Sequence, residues 1–166
     1  MDTPEFKGLD SLISVINKSN IVILAVDAKP RFFYSIGAAK VGVPDIFISG
    51  QIPINFGHSL VNEIFTELND NGYKTGLISD MNAPPFYLLP CNVNIQEFKA
   101  EFTIQADNVY EYESTELTSV KRNIDINMGI PEFLQVVLPD KHGKFPWEMD
   151  YEHSVFPQQL FCMPSI

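Results

Sequence analysis

The chain has 166 residues, 45% of them apolar and 19% charged, so it is long enough to bury a core and too apolar to stay unfolded. Its 11 basic and 21 acidic side chains leave a net charge of −10 at pH 7. That balance excludes a general phosphate-backbone binder, which needs a basic stripe, and the composition excludes collagen, coiled coils and disulfide scaffolds.

Leu9, Leu12, Ile13 and Ile16 follow Pro4 at helical spacing and predict a first helix over about 5–18. Ile21–Val26 is a continuous apolar run that suits a strand buried on both faces. Lys29-Pro30-Arg31 turns the chain into a second strand, Phe32–Gly37, paired antiparallel with the first. Gly42-Val43-Pro44 breaks it, and Asp45–Gly50 reads as a third strand. Gly57, Leu60, Val61, Ile64, Phe65 and Leu68 form one stripe of a second helix, with Asn55 as its expected N-cap and Gly72 as its stop. Tyr73–Ser79 and Phe86–Leu89 read as short strands around Asn82-Ala83-Pro84-Pro85. Phe98, Ala100, Phe102, Ile104 and Ala106 alternate, which predicts a strand over 97–106. Residues 107–127 fit strand or helix, and Phe133–Leu138, between Pro131 and Pro139, is a strand.

The order of elements predicts an α+β fold: a mostly antiparallel sheet with two or three helices packed on one face. One domain is expected, with a helix/strand core over 1–139 and an ordered tail rich in aromatics and proline over 140–166. In that tail Phe145, Trp147, Tyr151, Phe156 and Phe161 are expected to lie against the core. Met1–Lys7 has no apolar stretch of the signal-peptide kind, and the longest apolar run is far shorter than the ~20 residues of a membrane span. Cys91 and Cys162 form no C-x-x-C pair and are expected to be unpaired, buried thiols. A cytoplasmic protein without membrane contact is the resulting expectation.

Motifs with committed chemistry are missing. No P-loop, dinucleotide fingerprint or G-x-S-x-G elbow occurs, so no nucleotide cofactor is expected. Gly37-Ala-Ala-Lys-Val-Gly42 resembles a phosphate cradle, although an ordinary loop explains it more simply. His58, His142 and His153 lack helical H-x-x-x-H spacing, and no metal site is expected. Asp45 opens a strand, where a lone carboxylate commonly caps a turn. Buried beside Tyr34 and a histidine it would instead have a perturbed pKa suited to a general base. The weak catalytic candidates are therefore Asp45, His58 and His142. In 138–148, Phe145 and Trp147 flank Pro146 after an Asp140…Gly143 turn, and such a clasp closes a core edge or walls a pocket.

Two stretches carry a family likeness. Phe33-Tyr34-Ser35-Ile36-Gly37 with Gly42-Val43-Pro44-Asp45-Ile46-Phe47-Ile48-Ser49-Gly50 resembles the opening of the bacterial and viral domain of unknown function 4262 family. Gln135–Asp140, Gly143-Lys144-Phe145-Pro146-Trp147 and Gln159 resemble its closing segment. Ser35 stands for a threonine of the pattern, Ala38 for leucine, Val43 for histidine and Asp45 for glutamate, so any role of that histidine is lost here. The resemblance implies a compact α+β domain and no assigned activity. The bacterial and viral distribution suggests phage–host conflict by association alone.

A non-catalytic binding module for a small molecule or a protein partner is the first functional expectation, with Tyr34, Ser35, Gly37, Asp45, Asp140 and Trp147 as ligand-binding candidates. The acidic charge favours a cationic ligand or a basic protein face. It presumes that the Tyr34 strand and the Trp147 loop wall one concavity. The alternatives are a small hydrolase or transferase with an Asp/His pair, and a subunit of a homo-oligomer joined through tail aromatics.

Overall fold

A computed structural model describes residues 4–27, 31–50, 52–81, 83–91, 96, 99–100, 103–112, 119–124, 127 and 129–152. The expected turn at Lys29-Pro30, together with Leu117, His153, Phe156, Gln159, Phe161 and Cys162, lies outside the described residues.

Helix α1 spans Pro4–Ser19, its first position taken by a proline whose missing N–H costs nothing there. It stops at Asn20, which adopts φ 74° and donates its N–H to the Ile16 carbonyl at 2.8 Å. Strands β1 (Val22–Val26), β2 (Phe32–Ile36) and β3 (Asp45–Ser49) follow, then α2 (Ile54–Asn71), β4 (Gly76–Ile78), β5 (Phe86–Pro90), α3 (Ile104–Glu111) and β6 (Phe133–Val137). They form one six-stranded sheet in the order β1-β2-β3-β6-β5-β4. Only β3 and β6 run parallel; every other neighbour pair is antiparallel.

The α+β class is therefore as the sequence implies, with one refinement. The helices divide between the two faces of the sheet. Leu60, Val61, Ile64, Phe65 and Leu68 of α2 pack with Phe33, Ile46, Ile48, Leu134 and Val136. Ile13 and Ile16 of α1 pack with Ala106, Val109 and Tyr110 of α3 against Tyr34, Ile36, Phe47, Phe133 and Val137. The cause is visible in the strands: β2, β3 and β6 are buried at every position, so both pleat faces need a cover. The run expected to be buried on both sides, β1, is an edge strand and only half-buried.

Two further expectations change. Asn55 is not the N-cap of α2; Pro53 holds that position and no side chain caps it. Gly72 does end the helix, donating to the Leu68 carbonyl. The strand expected over 97–106 does not form at the described positions, because Lys99 and Ala100 are helical and Ile104 begins α3. Within α3, Ala106 and Tyr110 are four residues apart with Val109 beside them, and burial of all three on one helix face decides the outcome. Close helix–sheet packing has its own requirement at Gly57: a Cβ there would lie 2.7 Å from the Phe33 ring.

Candidate functional site

The 37–42 loop lies between β2 and β3. Gly37 takes φ 114°, and a Cβ on it would lie 2.5 Å from the Asn20 carbonyl oxygen, so only glycine fits. A single 3-10 turn, Ala38–Val41, follows and closes on Gly42 at φ 82°. This geometry turns successive backbone N–H groups inward, which is the anion-binding arrangement the glycines suggest. The protein's own groups fill it. Ala38 N–H donates to Asp45 Oδ1 at 3.0 Å, while Gly37 N–H and Ala39 N–H reach the Tyr110 hydroxyl at 2.8 and 3.4 Å. Lys40 turns away and donates to the Ile16 carbonyl at 3.0 Å, joining Asn20 at the C-terminal end of α1.

Asp45 is the centre of this node and is 1% exposed. Ser35 Oγ donates to its Oδ1 at 3.0 Å and accepts from Ile46 N–H at 2.9 Å. The Tyr110 hydroxyl donates to Oδ2 in a short hydrogen bond. Burial pushes the Asp45 carboxyl up to about 7, against the opposing hydrogen bonds from Tyr110, Ala38 and Ser35 and the positive charge of Arg122. The Tyr110 phenol is driven far upward, first by burial and then by the charge of Asp45. Above the node the Arg122 guanidinium lies 4.2 Å from the centre of the Tyr110 ring. It is held by Asp107 at 2.7 Å and Glu132 at 3.7 Å, and Lys99 bridges the same two carboxylates at 3.3 and 3.0 Å.

Tyr34 is 2% exposed and fills the core beneath α3. Burial pushes its phenol up to about 12; the Gln105 backbone opposes that rise and Asp45 adds to it. Tyr34, Ser35, Gly37 and Asp45 thus sit together, but as interior groups. Neither His58 nor His142 is among the Asp45 partners. His58 is exposed on α2, beside a groove of about 250 Å³ lined by Val15, Ser19, Ile21–Ile23 and Asn62. His142 is exposed and faces Glu152 at 3.2 Å. Among the described residues no three His, Cys, Asp or Glu side chains converge as a metal site would require. Cys91 is buried.

The 140–152 loop is built differently. Asp140 is 8% exposed, and its carboxylate accepts from the N–H groups of His142 and Lys144, both at 2.9 Å, and of Glu152 at 3.1 Å. Desolvation opposes its charge, but the backbone donors of Lys144, Glu152 and His142 prevail and hold the carboxyl below the usual range. Glu148 caps the following turn by accepting from Phe145 N–H at 2.7 Å. Phe145 and Trp147 stack, with ring centres 5.3 Å apart and planes at 8°. Tyr87 of β5 meets both rings edge-on, at 4.7 and 4.9 Å. Phe145 and Trp147 stay half-buried, whereas Tyr151 is buried. The Trp147 loop and the Tyr34 strand therefore share one face of the sheet and one apolar cluster. A second groove, about 350 Å³ between α2 and Asp80-Met81, contains neither residue.

Tyr110 and Arg122 are the members of the buried node that sequence reasoning passed over. They lie 65 and 77 positions beyond Asp45, in the stretch where strand and helix patterns overlap. Tyr110 standing four residues after Ala106 and next to Val109 is the signal that marks it.

Among the described residues no helix is long and apolar enough to cross a membrane. Neither a curated protein nor a solved structure matches the chain. Residues 15–152 match the family model described as Domain of unknown function (DUF4262), a span that takes in every strand, the Asp45 node and the whole aromatic loop, and the chain belongs to that family.

Proposed function

We propose that the protein is a non-catalytic binding module and that its working surface is the aromatic loop at Phe145 and Trp147, with Tyr87 beneath. The observation that carries this reading is the contrast in availability. Every described polar group of the Asp45 node is satisfied internally, whereas the stacked Phe145–Trp147 pair is half-exposed on a loop pinned in place by Asp140. Rigid aromatic area at low entropic cost is what a binding surface uses. The net charge of −10 favours a cationic ligand or a basic protein face over nucleic acid.

Trp147 is the one tryptophan of the chain, so its emission reports on this loop directly. Titration with arginine-rich peptides and with small organic cations is expected to give a saturable change in emission. Calorimetry on Trp147→Ala should then show affinity reduced by ~10-fold or more in a domain that still folds. Unchanged affinity in the folded variant would make the aromatic clasp purely structural, and no response from any probe would remove the reading.

A further inference from the structure

We propose that β1 is the surface through which two copies of this chain pair, edge to edge and antiparallel, about a two-fold axis at Leu24. The hydrogen-bond parity of the sheet fixes which groups of β1 are available. Gly50 N–H donates to the Arg31 carbonyl, so in the β2–β3 ladder the bonded pairs are 31–50, 33–48 and, by the same parity, 35–46. The backbone groups of Phe32, Tyr34 and Ile36 therefore face β1, where they meet Val26, Leu24 and Val22. That leaves the N–H and C=O groups of Ile23 and Ala25 pointing out of the sheet. Among the described residues none pairs with them.

Natural sheets blunt such an edge with lysine, proline or a bulge. Val22-Ile23-Leu24-Ala25-Val26 has none of these and no charge. A second copy is the occupant that the sequence of the strand fits. With Leu24 opposite its symmetry mate, Ile23 lies opposite Ala25 and makes the outward hydrogen bonds twice. Large faces small at both places, and Val22 faces Val26. Each flank carries an exposed charge. Lys18, exposed, closes α1 at the N-terminal end of β1, and Asp27, its side chain 93% exposed and 3.6 Å from the Arg31 guanidinium, follows the C-terminal end. Antiparallel pairing brings each Asp27 toward the Lys18 end of the other copy, over the groove lined by Val15, Ser19, His58 and Asn62. Isologous pairing of this kind closes on itself and does not propagate.

Analytical ultracentrifugation of the full chain is the test. A mass approaching twice 18.8 kDa, rising with concentration, is expected. Ala25→Pro removes only an outward N–H and should weaken the dimer by ~10-fold or more while the melting curve stays cooperative. Asp27→Lys should weaken it as well, and Lys18→Asp added to Asp27→Lys should restore it. A chain that is monomeric at every concentration overturns the proposal. So does a dimer that survives Ala25→Pro in a folded protein. Should Ala25→Pro fail to fold, the charge pair decides, and absence of rescue overturns it.

Discussion

Asp45 and Asp140 are both buried carboxylates, and each accepts hydrogen bonds from three donors, yet they do opposite things. Asp45 gathers its donors from across the chain: Ser35, Ala38 and Tyr110, the last from a helix 65 residues on. Asp140 gathers backbone N–H groups from its own loop: His142, Lys144 and Glu152. Interior burial wins at Asp45 and pushes its pKa up to about 7. At Asp140 the backbone donors win and the carboxyl stays acidic. One carboxylate locks the fold together. The other shapes a surface and leaves its aromatics partly in water.

Truncation should separate the two most sharply. Asp45→Ala leaves the Ser35 and Tyr110 hydroxyls and the Ala38 N–H without a buried acceptor, and is expected to cost about 3–5 kcal/mol in urea unfolding. Gly37→Ala attacks the same node through the backbone. It needs φ near 114° and a Cβ only 2.5 Å from a carbonyl oxygen, so about 2–3 kcal/mol is expected by the same method. At the loop, Trp147→Ala should cost about 1–2 kcal/mol, since the ring is only half-buried, while removing most of the binding. Asp140→Ala should leave the core intact and show instead as faster amide exchange at His142, Lys144 and Glu152. Equal destabilisation by Asp140→Ala and Asp45→Ala would erase the distinction between the two regions.

The strands and the first two helices are legible in the sequence because their patterns are local: runs of β-branched and aromatic residues for β1 to β3, and a stripe from Gly57 to Leu68 for α2. What escapes is set by tertiary partners. Period-2 spacing over 98–106 suits a strand, yet from Ile104 on the packing of Ala106, Val109 and Tyr110 against the sheet selects a helix. The place of the helices on both faces follows from β2 and β6 being buried at every position, which depends on their neighbours in the sheet. Of the candidate site, Asp45, Ser35, Gly37 and Tyr34 are legible as a cluster because two adjacent strands carry them. Tyr110 and Arg122 are not, because nothing local ties them to Asp45. His58 and His142 are typical residues for acid–base chemistry, but residue type alone does not bring them to a carboxylate.

The internal character of Asp45 has a direct readout in the pH dependence of stability. Its folded pKa of about 7 lies above the ~3.9 of an unfolded aspartate, so the native state holds the proton longer. This group's stabilising contribution is full below about pH 4 and is lost as pH rises through 7. Urea unfolding between about pH 5 and pH 8, for the wild type and for Asp45→Asn, tests it most directly. The wild type should lose about 2–3 kcal/mol more than the variant over that range. Parallel curves for the two proteins would contradict the account, because they would mean that Asp45 titrates as an ordinary solvated carboxylate.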